Sequence, residues 1–270
     1  YLFNDRAVAM PTPLEDPASL PSETVSGAMK CGWAWKIPLT NRYGNGYVYS
    51  SDFLDEAGAE QELRAHLKLF DDTVQARHLK MRVGRLERTW DRNCVAIGLA
   101  PGFIEPLEAT ALMIVQDTIE NLISSLQGGD PERQRRDFNQ KINRIYDSIR
   151  DYIYMHYKLN TRTDTAYWAA ARDNATMSES VASILDVWDN GGDLLAEIKR
   201  QSAQMAYSLT SWFCILGGMG RFPRKPRRAT HKHQAVDHEA SRKACLELVK
   251  HFPDHRRVID DMRREVAPAA

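Results

Sequence analysis

The chain has 270 residues, 43% hydrophobic and 27% charged, and its 36 Lys and Arg balance 36 Asp and Glu. That length supports one large domain or two smaller ones with a sizeable core. The even charge gives no reason to expect nucleic acid or an anionic membrane as partner. No apolar run approaches the roughly 18 residues of a membrane span. The opening YLFNDRAVAM lacks the basic lead and apolar stretch of a signal peptide. Cys31, Cys94, Cys214 and Cys245 form no CxxC pair. Reduced thiols in a cytoplasmic protein are expected, with neither a disulfide frame nor a zinc site. The chain starts at Tyr1 without an initiator Met and directly in strand-like sequence. A segment preceding Tyr1 is the expectation.

The first hundred residues read mainly as strands. YLFNDRAVAM and ETVSGAMKCGWAWKIPL are extended candidates, separated by the proline-rich surface loop PTPLEDPASLP. From Trp33 the odd positions Trp33, Trp35, Ile37 and Leu39 are apolar, a period of two that marks one half-buried strand face. Lys36 projects to the opposite face. NRYGNG supplies turn chemistry for a hairpin returning through GYVYSS. DEAGAEQELRAHLKLF follows as an amphipathic helix with Leu63, Leu67 and Phe70 at helical spacing. RHLKMRVGRLERTW reads as a strand pair turning at Gly84, and CVAIGLA as a short buried strand.

After Pro106 the pattern turns helical. LEATALMIVQDTIENLISSLQ is the most apolar helix and is expected to be central, with Leu122, Ile123 and Leu126 in the core. Asp130 and Pro131 are an N-cap and first-turn proline for a long helix through RIYDSIRDYIYMHY. DTAYWAAARD, then SESVASILDVWD with Thr176 and Glu179 as a capping box, DLLAEIKRQSAQ, SLTSWFCIL, HEASRKACLELVKHF and HRRVIDDMRREV complete the set. A β-rich part followed by an all-α part gives an α+β class. The basic loop RFPRKPRRATHKH reads as a solvated loop, and its His231 to His233 run is not expected to bind metal.

The stretch from Asn93 to Thr110, NCVAIGLAPGFIEPLEAT, has the strongest chemical content. A strand ending at Gly98, a Gly/Pro loop and a helix from near Leu107 would present free backbone N–H groups and a positive dipole end. That end suits an anion or a carbonyl gaining negative charge. Glu105 and Glu108 lie three apart in the expected first turn. Spacing alone leaves open whether they are dipole partners or catalytic carboxylates.

GWAWKIP resembles the GWxWxIP signature of the flavin-dependent tryptophan halogenase family, and RNCVAIGLAPGFIEPLEAT resembles that family's second recurring block. NGYVYSSDF and SWFCILGGMG also lie in order with the family. The resemblance implies that residues 1–106 are the β-rich remainder of a flavin-monooxygenase-like FAD module and 107–270 a helical subdomain over the substrate. It implies FAD, reduced by a separate flavin reductase, with chloride or bromide as the second requirement. Hypohalous acid would then travel through a tunnel to a small, electron-rich aromatic substrate. By motif the catalytic glutamate is Glu108, the halide sits on the backbone N–H groups of Thr110 and Ala111, and flavin contacts fall on Leu99 and Leu112. Trp33, Trp35, Ile37 and Pro38 line the tunnel as a partition between flavin and arene. Both indoles are therefore expected near Glu108 and the loop from Leu99 to Ala111.

The departures are Ala109 where many members have Ser, Ala111 at a common Gly, and no GxGxxG in the chain. The family's catalytic lysine falls upstream of the point matching Tyr1. On the substrate side the sequence offers Tyr207 and Trp212 but no adjacent Phe-Trp pair. An indole-containing or other electron-rich arene is expected rather than the zwitterion of free tryptophan. A homodimer is an admissible assembly. A flavin-dependent aromatic monooxygenase and an inactive truncated fragment of a halogenase stay open as alternatives.

Overall fold

In a computed structural model of the chain, residues 1–70, 73–201, 206–225 and 237–266 are described. Five strands form an antiparallel sheet in the order β2-β3-β4-β1-β5: β1 (Arg6–Thr12), β2 (Val25–Met29), β3 (Gly32–Pro38), β4 (Tyr43–Tyr49) and β5 (Arg77–Lys80). Alternation sends side chains to two different cores. Val8, Met10, Ala34, Tyr47 and Tyr49 face Ala59 and Leu63 of α1 (Glu56–Leu67). Ala7, Trp33 and Val48 face the helical side. The β3–β4 hairpin turns at residues 39–42, closed by Leu39 N–H to the Arg42 carbonyl, so YGNG lies inside β4 and not in the turn. Lys36 is on the face away from Trp33, ion-paired to Glu15 at 2.7 Å and 4.1 Å above the Tyr43 ring centre.

Four two-residue strands follow. β6 (Gly84–Arg85) pairs with β9 (Gly102–Phe103), and β7 (Trp90–Asp91) with β8 (Cys94–Val95). Two sequence expectations are corrected here. The segment around Gly84 does not turn back on β5, which pairs with β1 instead. CVAIGLA is not a buried strand: Cys94 is exposed, Gly98 adopts φ +76°, and Leu99 is 72% exposed. The β7–β8 ladder holds two residue pairs and ends at Val95, and left-handed Gly98 then turns the chain away from extended structure.

The helices are α2 (Ala111–Ser125), α3 (Pro131–Lys158), α4 (Ala166–Asp173), α5 (Glu179–Asp189), α6 (Leu194–Gln201), α7 (Leu209–Gly218), α8 (His238–Val249) and α9 (His255–Val266). The central one is α3, about 42 Å long at 1.5 Å per residue. Asp130 caps it, accepting from the N–H groups of Glu132 and Arg133, with Pro131 at the first position. Its Phe138, Ile142, Ile145, Ile149, Ile153 and Tyr157 pack toward the sheet, while Tyr152, Tyr154 and Met155 pack toward α5, α6 and α7. The apolar α2 is peripheral instead: Ile114 and Thr118 are its buried residues, and Ile123 and Leu126 are exposed. High mean apolarity did not specify burial because its apolar residues are spread around the helix and only one stripe meets α3. The cap of α5 is Ser178, accepting from Val181 N–H, not Thr176. Phe70 lies beyond the end of α1, which stops where Lys68 turns left-handed at φ +58°. The His231 to His233 run and the loop from Pro226 lie outside the described residues. No described helix is long and apolar enough to cross a membrane.

Gly46 pairs with Trp35 across the ladder, and a methyl group there would stand 2.1 Å from the indole ring. Gly46→Ala is therefore expected to displace Trp35 and destabilise the fold by about 1–3 kcal/mol, measured by urea unfolding. An unchanged midpoint would show that the indole has room to move.

Candidate active site

The site is built where the loop from Gly98 to Thr110 meets β3 and α3. A 3-10 turn, Leu107–Ala109, precedes α2, so the helix starts four residues later than the sequence reading placed it. Glu108 (φ +70°, ψ +5°) and Ala109 (φ +52°) are both left-handed, and Thr110 returns to φ −77°, ψ −9°. Left-handed backbone costs a non-glycine residue about 1–2 kcal/mol, so the packing around the turn must hold it there. A left-handed residue followed by a right-handed one also aims successive N–H groups into a shared concavity suited to an anion. The first turn of α2 has no side-chain cap, which leaves its leading N–H groups without intrahelical partners.

Leu99, Thr110, Ala111 and Leu112, the four positions singled out for flavin and halide, line one cavity of about 250 Å³ together with Ile104 and Tyr146. Leu112 is 82% exposed at its rim. A second cavity, about 340 Å³, is lined by Trp33, Leu107, His156, Tyr157, Trp168 and Met219. Trp33 is buried and its ring centre lies 5.9 Å from that of Trp35, in the same apolar cluster as Leu107. Ile37 lies outside that cluster and is exposed, and Pro38 ends the strand beside Tyr43. Thus the structure brings Trp33 to the junction loop, through its bond to Glu105, and sets Trp35 beside it. Trp212 is fully buried in the core between α3, α5, α6 and α7, and Tyr207 stacks on Tyr152 at 3.7 Å.

The two glutamates have different surroundings. Glu108 is 38% exposed at its side chain, and His156 Nε2 meets its Oε1 at 3.1 Å. The other ring nitrogen, Nδ1, faces the Tyr152 carbonyl at 3.1 Å. Both ring nitrogens thus meet oxygen atoms. The hydrogen bond from His156 outweighs partial burial and holds the Glu108 carboxyl below the usual carboxylate range. Glu105 is 0% exposed, and its Oε2 accepts from Asn4 Nδ2 at 2.8 Å, Trp33 Nε1 at 3.1 Å and Tyr157 Oη at 2.8 Å. Burial pushes its carboxyl up, against those hydrogen bonds. Glu105 is therefore not a dipole partner of α2: side chains, not helix N–H groups, take its oxygen.

His156, Asn4 and Tyr157 were not singled out from the sequence. A signal for His156 was present, since it follows Tyr152 by four residues on the same stripe of an aromatic helix. Among the described residues, no group of three or more His, Cys, Asp or Glu is placed to hold a metal ion. Replacing His156 with Ala should raise the Glu108 titration, read by carboxyl NMR. A depressed carboxyl stabilises the fold above the ordinary value of about 4.3 and loses that contribution as pH falls. Acidification should therefore weaken the native protein more than the His156→Ala variant, and equal losses would show that the pair contributes nothing.

The sequence pattern of the tryptophan halogenase family matches residues 1–235. The chain is 33% identical to the 7-chloro-L-tryptophan 6-halogenase KtzR of Kutzneria sp., over 97% of this chain and 51% of that protein. It is 33% identical to the tryptophan 7-halogenase RebH of Lentzea aerocolonigenes, over 88% of this chain and 47% of that one. Among solved structures, a tryptophan C-6 flavin-dependent halogenase (chlorinase) from taromycin biosynthesis superposes with TM-score 0.85 at 31% identity, covering 97% of this chain and 53% of that one. BrvH, a flavin-dependent halogenase from Brevundimonas sp., superposes with TM-score 0.80 at 31% identity, covering 96% and 52%. The chain spans about half the length of these relatives. It belongs to the tryptophan halogenase family.

Proposed function

We propose that this chain supplies the halide seat, the partition and the carboxylate base of a flavin-dependent halogenase acting on an indole-type or other electron-rich arene. The observation that carries the reading is the junction itself. An uncapped helix start with left-handed backbone opens into an apolar cavity, and buried Trp33 stands on the same loop's other side. The residues fit the ring end of a flavin beside an anion: Leu99 and Leu112 offer apolar flanks, and the N–H groups of Thr110 and Ala111 are free to face a halide. The chain holds no GxGxxG turn for the dinucleotide phosphates. Reduced FAD, oxygen and halide, when bound, supply hypohalous acid.

The chain's own residues then act on the arene side. Glu108, kept ionised by His156, accepts a proton; with Oε1 on His156, its Oε2 is the atom for this step. Electrophilic substitution requires such an acceptor, since the ring carbon exchanges its proton for the halogen. Trp33 and Trp35 exclude the arene from the flavin side and let only the small oxidant through. That wall favours halogenation over direct hydroxylation, which needs the arene against the flavin. The flavin reductase and a small aromatic substrate are the partners of this reading. The division into a β-rich flavin-module remainder, residues 1–106, and a helical cover, 107–270, belongs to it as well.

Two measurements test it. Titrating the chain with chloride or bromide should shift the backbone amide resonances of Thr110 and Ala111, and silent amides would remove the halide seat. In a protein joining this chain to the other half that its relatives possess, Glu108→Gln should lower arene halogenation about 10²- to 10⁴-fold, the usual worth of a positioned acid or base, while reduced flavin is still consumed. Halogenation unaffected by that change would remove Glu108 from the reaction.

A further inference from the structure

Three described acids are buried: Glu105, Asp151 and Glu197. Asp151 holds Arg150 at 2.7 Å and Glu197 holds Arg200 at 2.7 Å, so each has a cation. Glu105 has none. Its surroundings are Asn4 from the N-terminal segment, Trp33 from β3 and Tyr157 from α3, with Tyr167 of α4 donating to Asn4 Oδ1 at 2.8 Å behind them. Tyr157 and Tyr167 are neutral phenols, raised well above their ordinary range by burial. His156, which bears on Glu105 electrostatically, is already engaged by Glu108.

The hydrogen bonding of Glu105 is lopsided. Three donors converge on Oε2, and Oε1 has no partner. An ionised carboxylate spreads its charge over both oxygens and needs donors at each. A charged oxygen left dry and unpaired costs far more than a neutral hydroxyl in the same place. A carboxylic acid fits instead, with its carbonyl oxygen at Oε2 as the shared acceptor and its proton on Oε1.

We propose that Glu105 stands in the folded protein as an uncharged carboxylic acid whose carbonyl oxygen pins the indole of Trp33, making it a positioning residue for the partition. The proposal rests on the reading of Trp33 as part of that wall. The loop carrying Glu105 joins the two cavities: Ile104 lines the halide side and Leu107 the other, with Glu105 buried between them in sequence. A pin at this position fixes the wall to the loop that bears Glu108. It adds no permanent charge near the halide seat, where a second carboxylate would repel the anion.

The test uses the 270-residue chain and Glu105→Gln, which keeps a carbonyl acceptor and cannot ionise. If Glu105 keeps its proton when folded, the folded state holds a proton that the unfolded chain gives up above about pH 4.3. The folding constant of the native chain relative to Glu105→Gln should then fall about tenfold per pH unit between roughly pH 5 and 7. A flat ratio overturns the uncharged state. The pin is read separately from the indole ¹⁵N–H resonances of the six tryptophans, with that of Trp33 identified by its loss in Trp33→Phe. It should shift modestly and stay slow to exchange in Glu105→Gln, and exchange at least tenfold faster in Glu105→Leu. An unmoved Trp33 resonance in either variant overturns the positioning role, so the Gln variant decides the matter even if the Leu variant does not fold. Neither readout needs halogenation, so a failure of the proposed reaction and a failure of this assignment are told apart.

Discussion

The architecture of the site depends on one element buried on two sides, helix α3. Phe138, Ile142, Ile149 and Ile153 press it against the sheet, while Tyr152, Tyr154 and Met155 press it against the later helices. Because both cores share this helix, residues on it are fixed relative to the sheet and the helical layer together. His156 and Tyr157 are neighbours there, and they take the two glutamates of the junction loop, Glu108 and Glu105. Rigid placement matters because a misplacement of about 1 Å in a catalytic group can cost two orders of magnitude in rate.

The junction loop is strained where the chemistry is proposed. Two consecutive left-handed residues, neither of them glycine, lie immediately before α2. The cost is met by what surrounds them: His156 on Glu108, Leu107 in the main core, and Glu105 tied to β3, α3 and the N-terminal segment. Relaxing the turn into ordinary helix would swing Glu108 away from His156 and redirect the N–H groups of Thr110 and Ala111. Strain of this kind persists only when neighbours over-determine it, and here the neighbours come from three separate parts of the chain.

The order of β-rich then helical sequence was legible, as were the period-two face of β3 and the caps of the long helix. Each is written in local spacing. The pairing of Gly84–Arg85 with Gly102–Phe103 was not, because two-residue ladders leave no periodicity. Nor was the peripheral place of α2, since composition measures how apolar a helix is and not which partner covers it. At the site, the family motifs brought Leu99, Thr110, Ala111, Leu112 and Trp33 to attention, and the structure gathers them around one loop. The surroundings of the glutamates stayed hidden. Asn4 lies 101 residues from Glu105, and His156 lies 48 from Glu108. Contacts of that separation are made by the fold, and one sequence carries no record of them.

The contrast between Glu105 and Glu108 shows how one loop separates two identical side chains three residues apart. Glu108 is half exposed beside an imidazole, so its charged form is favoured and it can receive a proton. Glu105 is dry, without a cation, and its donors crowd one oxygen, so its neutral form is favoured and it can only hold. Environments that push paired carboxyls in opposite directions separate their roles. Here the separation follows the backbone. The left-handed step at Glu108 turns that side chain out toward α3 and solvent, while Glu105 points into the packed interface of sheet and helix, held by Asn4, Trp33 and Tyr157.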